Sequence, residues 1–156
     1  MNALTPDTLV RNPEGCTVIA AVDVAAPADN VWAVVGNFAG FDRFIPALER
    51  IEMNGIGVRS VRKKIFKDGE NIVIEQLNSR DDQARYMTWS LIYTTLNIGN
   101  LWASMEVFDK GDNTSHAVWT IKGEPWEGGT EALPAFQAFL QGFADDAMSN
   151  VRNLFS

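Results

Sequence analysis

Few side chains in this chain of 156 residues can move a proton near neutral pH, and three stand out: Glu75, His116 and Tyr93. A carboxylate held in an apolar cavity has its pKa raised by desolvation, which makes it useful as a general acid or base. Glu75 becomes such a group if its strand turns it inward. The alternative is that it lies on the solvent face, or simply pairs with a neighbouring Lys63 or Arg62. His116 is the one histidine, and its ordinary pKa suits acid–base work. It also follows the polar stretch NTS at 113–115, where a solvated histidine is commonplace. Tyr93 can donate a hydrogen bond to a ligand carbonyl, or simply pack as an amphipathic ring.

Other chemistries lack their residues. There is no GxSxG, no phosphate-cradling glycine loop, no dinucleotide fingerprint and no HExxH. No cofactor is therefore expected. One cysteine, Cys16, excludes an intrachain disulfide, and one cysteine plus one histidine cannot furnish a four-ligand zinc site, so no metal is expected either. The SRDD stretch at 79–82 reads as a solvated hairpin rather than a carboxylate pair. A net charge of −7 opposes nucleic acid and anionic lipid as partners. The first fifteen residues have neither a basic start nor an apolar run, so no secretory leader is expected. No stretch has the length to cross a bilayer. Together these features point to a reducing, cytoplasmic setting, with the chain a monomer or a homodimer.

The elements that must position the three residues follow from periodicity. Residues 16–24, CTVIAAVDV, read as a strand. In AAPADNVWAVVGNF, Pro27 and Asp29 mark a helix start, Val31, Trp32, Val34 and Val35 form its apolar stripe, and Gly36 to Gly40 ends it. Residues 41–47 predict a second short helix broken by Pro46. Strand-length segments then follow at 48–54, 58–67, 71–79, 84–93, 100–108 and 115–124, divided by the turns NGIG, KDGE, RDDQ and DKGDN. Their spacing indicates an antiparallel meander. The stretch 131–155 is a helix about 37 Å long at 1.5 Å per residue, with Leu133, Phe136, Leu140, Phe143, Ala144, Ala147, Val151 and Leu154 on one face. The expected fold is α+β: seven antiparallel strands, two short helices after the first, and a long terminal helix in the grip of the curved sheet. All of it forms one domain over 1–156, with its ordered core at about 16–155. A sheet curled around one helix leaves an internal cavity. Alternation turns Leu101, Ala103, Met105 and Val107 inward, and Met87, Trp89 and Leu91 likewise.

This order resembles the START-like superfamily, also called SRPBCC or Bet v 1-like. The carrying segments are VWAVVGNFAGFDRFIPALERIE at 31–52, VIEQLNSRDDQARYMTWSLI at 73–92, GNLWASMEV at 99–107 and VWTIKGEP at 118–125. The look is closest to bacterial polyketide cyclase/dehydrase-type members and more distant to plant abscisic-acid receptors. The resemblance implies that Glu75, Trp89, Leu101, Ala103, Phe136, Leu140 and Ala144 line the ligand pocket. It implies that Val61 and Lys63 belong to one gating strand, and that TTLNIG at 94–99 is a second gate. Pro46 stands where the receptors carry a ligand-anchoring lysine, and the first gate reads IFKDGEN, so hormone reception is not expected. In the last strand hydrophobicity turns Ala117, Trp119 and Ile121 inward, whereas the spacing implied by the resemblance turns His116, Val118 and Thr120 inward. A bulge would reconcile the two.

Two functions from different classes follow. One is a cofactor-independent cyclase or dehydratase acting on an aromatic or polyketide-like molecule, with Glu75, and His116 or Tyr93, moving a proton. The other is a carrier for a hydrophobic metabolite, resting on apolar burial and on Trp89 and Phe136 in particular. A third is an interaction protein that uses the 94–99 loop and Trp126 as a patch.

Overall fold

The computed structural model describes residues 15–156, and the leader reading of the first fifteen residues lies, but for Gly15, outside them. Strand β1 (Cys16–Val24) is followed by helix α1 (Ala28–Val35), and six further strands run in order: β2 (Leu48–Asn54), β3 (Val61–Phe66), β4 (Ile72–Asp81), β5 (Tyr86–Thr94), β6 (Asn100–Gly111) and β7 (Thr114–Glu124). Helix α2 (Leu133–Leu154) closes the chain. The seven strands form one antiparallel sheet in the order β1-β7-β6-β5-β4-β3-β2. The first strand is thereby brought beside the last, and the others meander outward from them. The sheet is curved, and α2 lies against its β1–β7 edge.

Helix α1 buries Ala28, Val31, Trp32, Val34 and Val35, with Pro27 at its N-cap and Asp29 in its first turn. The second predicted helix contracts to one 3-10 turn, Phe41–Arg43, because Phe44 and Ile45 are drawn into the core and Pro46 cannot continue a helix. Helix α2 buries Phe136, Leu140, Ala144, Ala147, Met148 and Val151. Leu154 is exposed at the end of the helix, and Met148 takes the core position instead. Residues 129–132 form a 3-10 turn before the helix proper begins, ahead of Pro134.

The turns explain the altered strand lengths. Predicted strand 58–67 starts only at Val61, because Gly55, Gly57 and Arg59 all adopt positive φ and hold a turn. Strand β6 runs to Gly111, and Asp112 and Asn113 (φ 54° and 59°) close a two-residue hairpin, a conformation those two residue types tolerate. The SRDD stretch ends β4, and Asp81 caps the turn by accepting from the backbone N–H of Gln83 and Ala84.

In β7 hydrophobicity decides the orientation. Ala117, Trp119 and Ile121 are buried, and His116, Val118 and Thr120 lie on the outer face. The one register shift between β6 and β7 falls at Asp109/Gly111, before these residues, so nothing turns His116 inward. The core around Trp89 is aromatic: its ring meets Phe41 edge-on at 5.5 Å and Trp119 at 6.1 Å, contacts each worth about 1 kcal/mol beyond their buried area. No helix among the described residues is long and apolar enough to cross a membrane.

Candidate functional site

The site begins with an unusual strand. In β3 the apolar Val61 and Ile65 are only half-buried, while the cations between them, Arg62 and Lys64, are buried. Register explains this inversion. Arg62 pairs with Glu75 across β3–β4 and Lys64 pairs with Val73. Residues opposite each other share a face, so with Glu75 and Val73 turned inward, Arg62 and Lys64 must turn inward as well. The reading that put Val61 and Lys63 at the ligand is corrected by one residue: both sit on the other face of the strand.

Three charges thus meet inside the protein. Arg62 is fully buried, and its Nε donates to Glu75 Oε1 at 2.9 Å. Arg62 Nη2 lies 2.8 Å from the same oxygen but off the hydrogen-bonding direction, so it is an ion-pair contact rather than a second hydrogen bond. Lys64 Nζ stands 3.1 Å from Oε1. The guanidinium also donates to the Phe38 carbonyl at 2.8 Å and is sandwiched by the Phe38 and Phe41 rings at 3.8 and 4.0 Å. Such stacking suits arginine, whose flat cation is weakly hydrated.

Electrostatics reverse the expectation for Glu75. Burial is the largest single influence and pushes its carboxyl up, but Lys64 and Arg62 together pull harder, and the net shift is downward. Glu75 is therefore an ionised acceptor and not a proton-bearing acid. The Lys64 ammonium moves down as well, through burial and the nearby Arg62, against the pull of Glu75.

Beside this cluster lies an interior cavity of about 340 Å³. Its walls are Val73, Trp89, Leu91, Leu101, Trp119, Ile121, Leu140 and Phe143, and its charged end is Lys64 and Glu75. Leu96, Ile98, Phe66, Asp68, Asn71 and the half-exposed Phe139 also border it. The turn at 67–71 and the loop at 95–98 are tied together: the Ile72 N–H donates to Thr95 Oγ1 at 3.0 Å, and Thr95 Oγ1 donates to Asn71 Oδ1 at 2.8 Å. Asp68 spends its oxygens on the turn, accepting from the backbone N–H of Glu70 and Asn71 and from the Asn71 side chain. Trp126, beside the same loop, is 66% exposed. A second hollow, about 640 Å³, opens between α1 and the turn at 55–57, but it lacks a buried charge cluster.

Of the residues singled out from the sequence, Glu75, Trp89, Leu101 and Leu140 border the interior cavity. Ala103, Met105 and Ala144 are buried deeper in the core, and Phe136 packs over Gly123, where a Cβ would come within 3.4 Å of its ring. Tyr93 does not join them. A bulge between Ile74 and Glu75 skips Ile92, so Tyr93 pairs with Ile74 and shares its face, away from Glu75. His116 lies on the outer face, where its Nδ1 is 2.8 Å from Asp23 Oδ1 and its ring rests near Phe108. Neither borders the cavity. The residue that sequence reasoning missed is Lys64; Arg62 was read as a partner of Glu75, and the structure adds that the pair is buried. The signal for the two cations was parity: once Glu75 is inside, a short KDGE turn fixes which residues of β3 face it. No three His, Cys, Asp or Glu among the described residues gather as a metal site.

The family described as polyketide cyclase / dehydrase and lipid transport matches residues 15–155. No curated protein matches the chain. Among solved structures, the Zhui aromatase/cyclase from Streptomyces sp. R1128 is similar at TM-score 0.70 and 20% identity, covering 88% of this chain and 89% of that one. A START superfamily protein from Mycobacterium smegmatis is similar at TM-score 0.77 and 12% identity, covering 90% and 97%. An uncharacterised Bacillus thuringiensis protein is similar at TM-score 0.79 and 21% identity, covering 90% and 98%. At such identities these structures share the fold.

Proposed function

The chain belongs to the polyketide cyclase/dehydrase and lipid transport family, and from that membership we propose that it takes a hydrophobic, aromatic or polyketide-like small molecule into its cavity and catalyses a cofactor-independent cyclisation, dehydration or related acid–base rearrangement. The observation that carries the proposal is the apolar cavity of about 340 Å³ ending on the buried pair Lys64 and Glu75. Apolar walls confine and fold the substrate, which brings its reacting carbons together. The charged end supplies the rest. All three cationic contacts fall on Oε1 of Glu75, which leaves Oε2 to take a proton from a carbon beside a carbonyl. The Lys64 ammonium then faces the enolate oxygen that develops, and in a dry site one cation in that position stabilises a transition state strongly. The role given to Glu75 is thus that of an ionised base, and His116 and Tyr93 take no part.

A carrier function is the second reading, favoured by the firm hold of two cations on Glu75, which weakens it as a base. The distinguishing experiment is native mass spectrometry of the purified protein, then denaturing extraction of anything bound and incubation with its precursor. Conversion of the precursor, lowered at least tenfold by Glu75→Gln in a variant shown to be folded by circular dichroism, supports the enzyme. Tight binding without conversion supports the carrier. Unchanged turnover in Glu75→Gln removes Glu75 from the chemistry.

A further inference from the structure

The buried cluster does not balance. Arg62 and Lys64 contribute two positive charges and Glu75 one negative, and all three side chains are almost completely shielded from water. A lone buried charge is costly unless something compensates it. Arg62 is compensated within the protein, by Glu75, by the Phe38 carbonyl and by two aromatic faces. Lys64 is not. Its ammonium has three protons to donate, and its one ionic partner among the described residues is an oxygen that Arg62 already occupies. This same lysine borders the cavity. A second donor is idle nearby: Trp119 also borders the cavity, and its indole N–H is buried with no acceptor among the described residues. The other acidic group at the cavity, Asp68, is exposed and committed to its turn, so it does not neutralise Lys64.

We infer that the molecule held in the cavity carries an oxyanion, a carboxylate or an ionised enol or phenol, which docks on the Lys64 ammonium at the buried end while its apolar body fills the space toward Phe139. The inference rests on the cavity being the ligand site, and it adds the charge and orientation of the ligand. Docking an anion completes a two-to-two charge cluster and occupies a donor that the fold leaves open. A neutral molecule of the same shape leaves the excess charge in place.

The test compares two probes of nearly equal size and shape, naphthalene-2-carboxylate and naphthalene-2-carboxamide, by quenching of tryptophan fluorescence at pH 7. Trp89 and Trp119 in the cavity wall provide the signal. In the wild-type protein the carboxylate binds at least tenfold more tightly than the amide. Lys64→Met, which keeps the one-to-one Arg62–Glu75 pair, brings the acid down to the amide's affinity. Leu140→Trp, which fills the cavity, abolishes binding of both. Equal affinity for acid and amide in the wild type, with both lost in Leu140→Trp, overturns the inference and leaves the cavity as the binding site. Failure of both probes to bind, or binding indifferent to Leu140→Trp, overturns the cavity reading and the inference with it. The wild-type comparison needs no variant, so a misfolded Lys64→Met does not rescue the idea.

Discussion

The protein contains the same electrostatic motif twice, once inside and once outside. In each case one carboxylate oxygen meets two nitrogen-bearing side chains. Glu75 Oε1 takes Arg62 and Lys64 within 3.1 Å, and Asp23 Oδ1 takes His116 at 2.8 Å and Lys110 at 3.1 Å. Both carboxyls are held below their ordinary pKa. The distances are alike and the consequences are not. Around Asp23 water can replace either partner, and salt screens what remains. Glu75 is only 3% exposed, so a lost partner there leaves a buried charge instead of a solvated one. Bond lengths alone would rank the two sites equally, and it is burial beside an apolar cavity that singles one out.

Removing each carboxylate is the sharpest way to break the equivalence. Glu75→Ala strands two buried cations and is expected to cost about 3–5 kcal/mol of folding stability. Asp23→Ala releases its partners into solvent, and its urea midpoint should fall only slightly below that of the wild type. Chemical denaturation of the two variants beside the wild type reads both. Similar losses at the two positions would mean that the interior cluster is hydrated, and the argument from burial would fail.

How legible these sites were follows from what each one depends on. The strand order and the long helix rest on hydrophobic periodicity, which is dense in this chain: α2 repeats an apolar residue every third or fourth position, and burial alternates cleanly along β7. Hydrophobicity also gave the right orientation for Trp119, against the spacing taken from relatives. The charged end of the cavity broke that same rule. In β3 the pattern Val-Arg-Lys-Lys-Ile presents apolar residues at the wrong parity, because pairing with Glu75 outweighs the preference of Val61 and Ile65 for the interior. Tyr93 was misread for another reason. Its parity is reset by a bulge at Ile92, and a single inserted residue leaves no mark in composition. The sheet was legible from composition, and the site required the register.

Alkaline titration sharpens the comparison at lower amplitude. Lys64 has a folded pKa below its unfolded value, which is about 10.4. Between the two values the unfolded chain binds more protons than the native one, so stability rises with pH through that window and levels off above it. Lys64→Met should abolish this rise, whereas Lys110→Met, at the outer cluster, should leave it intact. Urea midpoints collected between pH 7 and 11 make the measurement. A rise that survives in Lys64→Met would mean that the lysine is not desolvated in the native state.

The smallest effect lies on the acid side, where the two carboxylates behave alike in sign and differ in their response to salt. Each has a folded pKa below its unfolded one, so each lends stability above the unfolded value, near 4, that is lost as pH falls through the folded value. Sodium chloride at about 1 M shortens the Debye length to roughly 3 Å and should erase the contribution of the exposed Asp23. The contribution of Glu75 should persist, because ions cannot enter the space between it and Arg62. Acid unfolding of Asp23→Asn and Glu75→Gln, each at low and high salt, separates the two. His116→Asn belongs in the same series: it should weaken only the salt-sensitive component and leave binding of the naphthalene acid unchanged. A loss of binding in His116→Asn would show that the outer face communicates with the cavity across β7, and the separation of the two clusters on which the comparison depends would have to be abandoned.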